Sequence, residues 1–142
     1  MAETQIELLG FMLSDEQYAL DILEIKEIVR LLAITPVPRS PSWLKGIVTL
    51  RGVIVPIFDL RSRLGLAEIE YGPKTRIIVV YRGEELAGLI VDSLRGQQEV
   101  VIKSVGSVFR NTPGIAGATE LGDKRAVLVL DVGALIDEAT HR

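Results

Sequence analysis

Gly46-Ile47-Val48-Thr49-Leu50-Arg51-Gly52-Val53-Ile54-Val55-Pro56-Ile57-Phe58-Asp59-Leu60 is the stretch whose reading decides the fold class. It holds two apolar runs, Ile47 to Leu50 and Val53 to Phe58, parted by Arg51-Gly52. Each run is rich in β-branched residues and shorter than an ordinary helix, so both read as strands with Arg51-Gly52 as the reversal. Gly52 can take the positive φ that a tight reversal needs. Pro56 has no backbone donor, which predicts a sheet edge or a bulge for the second strand. Asp59 then opens Leu60 to Gly65, whose leucines lie four apart. That pattern predicts a short helix with Asp59 as its N-cap and Gly65 as its stop.

Working outward, residues 5–13 alternate loosely between polar and apolar, and Ser14-Asp15-Glu16 precedes a second run, Tyr18 to Leu23, so a hairpin is the simplest reading. Ile22, Ile25, Val29 and Leu32 recur at helical spacing, and periodicity alone predicts a helix over residues 21–32. Pro36, Pro38 and Pro41 forbid regular structure after it. Beyond a connector, Leu66 to Lys74, come a strand over Ile77 to Tyr81, a turn at Arg82-Gly83-Glu84-Glu85 and a strand over Leu86 to Val91.

The pattern then repeats. Ala19 to Ile22 overlays Gly88 to Val91, Gly46 answers Gly117, Ile57-Phe58-Asp59-Leu60 answers Val129-Leu130-Asp131-Val132, and Leu64 answers Ile136. A period of about seventy residues argues for two related β subunits. We place them at residues 12–70 and 71–142, and halves of this size are marginal alone, so each should bury apolar surface against the other.

The 142 residues are 48% hydrophobic, yet no apolar run approaches the roughly 18 residues that span a membrane. The N-terminus has neither a basic region nor a long apolar core, so it does not read as a secretory signal. With no cysteine there is no disulfide framework or thiolate metal site. A net charge of −3 argues against a general nucleic-acid binder, which needs a basic face. One histidine, His141, leaves the common triads and zinc ligand sets unsupplied. Paired acids remain the route to hydrolysis, and Asp59 and Asp131 stand at equivalent places in the two halves. Both end a strand before a helix-like segment, so capping is the favoured account of each.

The segment Leu50 to Arg61 resembles the signature of the CheW chemotaxis coupling proteins, Asn-Leu-Arg-Gly followed by an apolar strand, proline and Asp-Leu-Arg. Thr49 stands where the family usually has asparagine. Tyr18 to Ile22, Glu27-Ile28, Ile34 to Pro38 and Gly88 to Asp92 match as well, so the resemblance covers nearly the whole chain.

The resemblance implies an all-β fold, one CheW-like domain over residues 1–142 built as two packed five-stranded SH3-like barrels with short helical turns. The N-terminal strand near Ile6 to Phe11 is a candidate to be shared between the barrels. It also replaces the helix over 21–32 by a strand through Ile22, a helical turn and a strand near Ile28. The function implied is a non-enzymatic, cytoplasmic adaptor, recruited to membrane-associated arrays, that joins the cytoplasmic tip of methyl-accepting chemoreceptors to the regulatory domain of the histidine kinase CheA. It implies no cofactor, metal, nucleic acid or direct membrane insertion. Within the family the alternative is a coupling protein of type IV pilus motility or gene regulation. Outside it stand an acid-pair hydrolase and a nucleic-acid-binding barrel.

By the same resemblance, Ile25, Glu27, Arg51 and Gly88 face the receptor, while Ile34, Val37, Pro38 and Leu64 face the kinase. Val105, Val108 and Phe109 form a second kinase contact. On position alone, Arg51 reads as a solvated hairpin tip or a partner in a structural ion pair, and Glu27 as a solvated charge.

Overall fold

A computed structural model describes residues 4–102, 114–121 and 125–140. Described strands are β1 (Thr4–Leu13), β2 (Glu16–Asp21), β3 (Ile25–Arg30), β4 (Leu44–Leu50), β5 (Val53–Phe58), β6 (Arg76–Arg82), β7 (Glu85–Val91), β8 (Ser93–Ile102), β9 (Ile115–Leu121) and β10 (Arg125–Leu130). Short 3-10 turns lie at Ile22–Glu24 and Ser62–Leu64, and α1 spans Val132–Thr140. The fold is all-β, with two five-stranded sheets ordered β8-β1-β2-β10-β9 and β3-β6-β7-β5-β4. No helix among the described residues is long and apolar enough to cross a membrane.

The helical spacing over residues 21–32 does not make a helix. The segment is a strand end, a 3-10 turn at Ile22–Glu24 and β3. Backbone pairing explains the override, because β3 runs antiparallel to β6 from Ile25↔Val80 to Arg30↔Arg76. That ladder satisfies donors and acceptors that a short isolated helix would satisfy with little tertiary support.

The chain divides into two compact units, but not into consecutive halves. Residues 23–94 form one, and residues up to Ile22 with those from Arg95 onward form the other. Overlaying the repeats maps β3, β4, β5, β6 and β7 onto β8, β9, β10, β1 and β2, and the two strand orders become the same order. Each unit thus takes the first hairpin of one repeat and the last three strands of the other. The boundaries expected from sequence, 12–70 and 71–142, follow the repeat and not these units. One parallel pair in each unit makes the exchange: Ile57↔Gly88 and Phe58↔Leu89 in the first, Leu128↔Tyr18 and Val129↔Ala19 in the second. Ala19 and Gly88, like Ile57 and Val129, are the residues that the repeat equates.

In the unit of residues 23–94, Val48, Val55, Ile57, Ile77, Val79 and Ile90 form the core, with Ile34, Tyr71 and Leu86 packed against it. Every residue of Ile77–Val80 and Ala87–Val91 is buried, which accounts for apolar runs that do not alternate. In the other unit Leu8, Ala19, Val100, Val127 and Val129 do the same work, and Phe11 stacks on Tyr18 with ring centroids 6.3 Å apart.

The sheet of residues 23–94 closes on itself. Thr35, just past edge strand β3, exchanges two backbone hydrogen bonds of 2.9 Å with Ile47 on the opposite edge strand β4. Gly46 makes this approach possible: a Cβ there would lie 2.1 Å from the Thr35 carbonyl oxygen, and its φ is +146°. Pro56 fits a strand with two neighbours because β5 meets β7 only from Ile57 onward, so the proline lies outside that ladder.

Candidate functional site

Arg51 and Gly52 turn β4 into β5 with φ of 49° and 83°. Two positive φ values at the centre of a two-residue hairpin are those of a type I′ turn, whose twist suits antiparallel strands. Glycine adopts this geometry without strain, whereas a side chain at Arg51 pays for it in backbone energy. The side chain has a partner: Arg51 Nη1 donates to Glu27 Oε2 at 2.5 Å. β4 and β3 are opposite edges of the sheet, so this ion pair crosses the same seam as the Thr35–Ile47 bridge. The hydrogen bond from Arg51 is the main cause that lowers the Glu27 carboxyl pKa and raises that of Arg51. The Arg51 side chain remains 69% exposed, and it is open to a partner despite the pair.

Ile25 begins β3 and is half-buried opposite Val80. The register shifts between Ile25 and Glu27, which makes Lys26 the extra residue of a bulge and leaves it exposed. Gly88 does not share this surface. It is buried in β7, where a Cβ would lie 2.5 Å from Ile57 Cδ1 and 2.9 Å from Ile77 Cγ2. Its glycine identity is explained by packing.

Among the residues expected to meet the kinase, Ile34 is half-buried against the core beside the Thr35 bridge. Val37 and Pro38 are exposed on the loop that follows, where Ser40 Oγ donates to the Val37 carbonyl at 2.8 Å. Leu64 is on a different element, the 3-10 turn at Ser62–Leu64. Val105, Val108 and Phe109 lie outside the described residues.

Asp59 is not the N-cap of that turn. The cap position is Arg61, with no side-chain cap. Asp59 is instead buried with Arg61, which is 1% exposed. Its Oδ1 accepts from the Arg61 backbone N at 3.1 Å, both oxygens accept from Arg61 Nη1, and Oδ2 accepts from the Tyr71 hydroxyl at 2.8 Å. Arg61 Nη2 also pairs with Asp92 Oδ1. Burial, and then the bond to Asp59, push the Tyr71 hydroxyl pKa far up. Asp131, the equivalent acid, does cap: its Oδ1 accepts from the Ala134 N at the third position of α1, at 3.0 Å. Sequence reading gave both acids the same role. The missed signal was Arg61 two residues after Asp59, a cation among leucines that no solvated face required.

A second feature was not anticipated. Between the β4–β5 and β6–β7 tips lies an open cavity of about 570 Å³, with Val53, Ile54, Pro56, Tyr81 and Leu86 among its lining. Ile54 is 64% exposed and Tyr81 52%.

Comparison with known proteins agrees with this fold. The family model for the CheW-like domain matches residues 7–140. "Chemotaxis protein CheW" of Klebsiella aerogenes is 32% identical over 128 residues, covering 87% of this chain and 77% of the relative. "Chemotaxis protein CheA" of Bacillus subtilis is 39% identical over 93 residues, 65% of this chain but only 14% of the longer protein. The crystal structure of scaffolding protein TtCheW from Thermoanaerobacter tengcongensis superposes with a TM-score of 0.84 at 29% identity, covering 93% of this chain and 92% of that one. The chain belongs to the CheW-like domain family.

Proposed function

We infer that the protein is a chemotaxis coupling adaptor that holds a receptor and the histidine kinase CheA in one assembly and does no chemistry of its own. Arg51 and Glu27 carry the receptor half of this reading. They were singled out separately on the sequence, and they form one exposed ion pair at a turn where the cation sits in the left-handed region. A non-glycine residue held in that conformation at the surface points to a use beyond folding. Ile25, on the same strand as Glu27, supplies adjoining apolar surface.

Similarity to a stretch of CheA supports the kinase half, since a related β module in the partner suits a contact between like folds. We assign that contact to Ile34, Val37, Pro38 and Leu64, with Val105, Val108 and Phe109 forming a second one. Two rigid docking faces on one adaptor let a change in receptor conformation bias the kinase without a reaction in the adaptor. The site of action is the cytoplasm, at membrane-associated receptor arrays.

The test is titration of the intact protein with a receptor cytoplasmic tip fragment and, separately, with the CheA regulatory domain. Saturable binding to both, and a ternary complex on mixing, is the expected result. Failure to bind either one removes the coupling role.

A further inference from the structure

We propose that Arg61 is a positioning residue for the kinase contact: clamped by Asp59 and Asp92, with Tyr71 locking Asp59, it holds the Ser62–Leu64 turn so that Leu64 is presented in one fixed place. The inference rests on the assignment of Leu64 to the kinase given above and adds residues that do not themselves touch the partner.

The cluster joins three segments of the unit of residues 23–94. Asp59 and Arg61 follow β5, Tyr71 lies in the connector before β6, and Asp92 stands between β7 and β8. Arg61 is held through both side chain and backbone. Its side chain is buried, with Nη1 donating to the two Asp59 oxygens at 3.0 and 2.9 Å and Nη2 paired with Asp92 Oδ1. Its carbonyl accepts from Leu64 N at 3.1 Å and from Leu66 N at 2.8 Å, and Leu64 N also reaches the Leu60 carbonyl at 3.0 Å. The place of Leu64 is thus set by the residue that the two carboxylates fix. Tyr71, whose ring packs against the core, donates its hydroxyl to Asp59 Oδ2 and keeps that carboxylate from turning away.

Stability alone does not account for the cluster. A buried ion pair gains little over apolar side chains of similar volume, whereas its directional bonds restrict the backbone to one arrangement. The repeat supplies the comparison. Arg61 falls on Gly133 and Asp92 on Leu23, so the equivalent positions hold neither a cation nor a second carboxylate. The other unit nevertheless makes the same strand order and the matching parallel pair. There Asp131 caps α1, which is nine residues long, whereas the segment after Asp59 is a three-residue turn ended by Gly65 at a φ of +73°. The fold does without the cluster in one copy, and the copy that keeps it is the one whose turn carries Leu64.

The test titrates the intact protein and its Leu64→Ala, Tyr71→Phe, Asp92→Asn and doubly changed Leu64→Ala, Tyr71→Phe variants with the CheA regulatory domain, and with a receptor cytoplasmic tip fragment as control. Tyr71→Phe and Asp92→Asn should each weaken kinase binding about fivefold and leave receptor binding within about twofold of the wild type. The double variant should bind the kinase no more weakly than Leu64→Ala alone, because both changes act through one side chain. Amide hydrogen exchange should quicken at Leu64 and Leu66 while β6 and β7 keep their protection. Should Asp92→Asn unfold the protein, Tyr71→Phe decides. Normal kinase binding of the cluster variants beside weak binding of Leu64→Ala overturns the positioning role and spares the kinase reading. Normal kinase binding of Leu64→Ala removes the turn from that contact and takes the kinase assignment of Leu64 with it. Additive losses in the double variant, or equal loss towards the receptor, would make the cluster a general support of the fold and overturn the proposal.

Discussion

Arg51 Nη1 and Glu27 Oε2 meet at 2.5 Å although 24 residues separate them, joining the β4–β5 turn to β3 across the barrel seam. Charge-assisted hydrogen bonds of this kind are directional, so the pair fixes where the guanidinium points. Because Arg51 is exposed, Arg51→Glu should leave the thermal melt close to that of the wild type. Receptor affinity should fall at least tenfold, about 1.4 kcal/mol, and kinase affinity less. The exchange Arg51→Glu with Glu27→Arg should restore folding contacts without restoring receptor affinity if the partner reads the cation at the turn. Unchanged receptor affinity in the single variant would take Arg51 out of the contact.

The same pair predicts a pH dependence. Glu27 titrates below its ordinary value of 4.5, held down chiefly by the Arg51 hydrogen bond. A carboxyl whose folded pKa is depressed contributes fully above its unfolded pKa and loses that contribution as pH falls through the folded one. Wild type and Glu27→Gln should therefore differ in receptor affinity at neutral pH and converge only in acid below 4.5. High salt should shrink the neutral-pH difference, because the Arg51 end of the pair is exposed. A difference that grows on acidification would contradict the assignment.

Buried Arg61 gives the largest expected effect on stability. Arg61→Ala leaves the Asp59 and Asp92 carboxylates without their cation and should cost about 3–5 kcal/mol. Both Asp59 oxygens accept hydrogen bonds, so Asp59→Asn should lose much of what Asp59→Ala loses. Asp131 gives the contrast: Asp131→Ala should cost about 1 kcal/mol and Asp131→Asn only a few tenths, as an N-cap requires. Urea unfolding of the four aspartate variants checks this, and a mild Asp59→Asn beside a severe Asp59→Ala would return Asp59 to a capping role.

Two glycines separate flexible from rigid obstruction. Gly88→Ala drives a methyl into Ile57 Cδ1 and Ile77 Cγ2, an overpacking that should cost about 1–3 kcal/mol. Adding Ile57→Val removes the nearer atom and should recover part of it. Gly46→Ala meets the Thr35 carbonyl oxygen, a backbone atom, and no single side-chain change should rescue it. Thermal melts decide, and an unperturbed Gly88→Ala would show that the core yields more readily than its contacts imply.

A fragment ending at Tyr71 contains β1 to β5 but lacks β6 and β7, which stand between β3 and β5 in their sheet, and β10, which pairs with β2. It should be largely unfolded alone and gain β structure on mixing with residues 72–142. Circular dichroism reads both states. A cooperative melt of the isolated fragment would mean that its hairpins find other pairings.

Local chemistry made much of this protein legible in its sequence. β-branched runs, the Arg51-Gly52 turn, the Gly46–Gly117 equivalence and the repeat of about seventy residues all depend on contacts between near neighbours or on patterns repeated along the chain. The ordered motifs from Tyr18 to Asp92 indicated the family and overrode a helical spacing that no backbone ladder supported. What the sequence left open is pairing at a distance. Two equivalent repeats offer equivalent hairpins, so nothing local states which copy's hairpin each unit takes, and only the Ile57↔Gly88 and Val129↔Ala19 ladders settle it. The roles of charged residues diverged for the same reason. Asp59 and Asp131 occupy matching places, yet Arg61 beside one, with Tyr71 and Asp92 brought in from other elements, makes it the centre of a buried ion pair. The other remains a helix cap. Arg51 and Glu27 were single charges on the sequence, and closure of the sheet made them a pair.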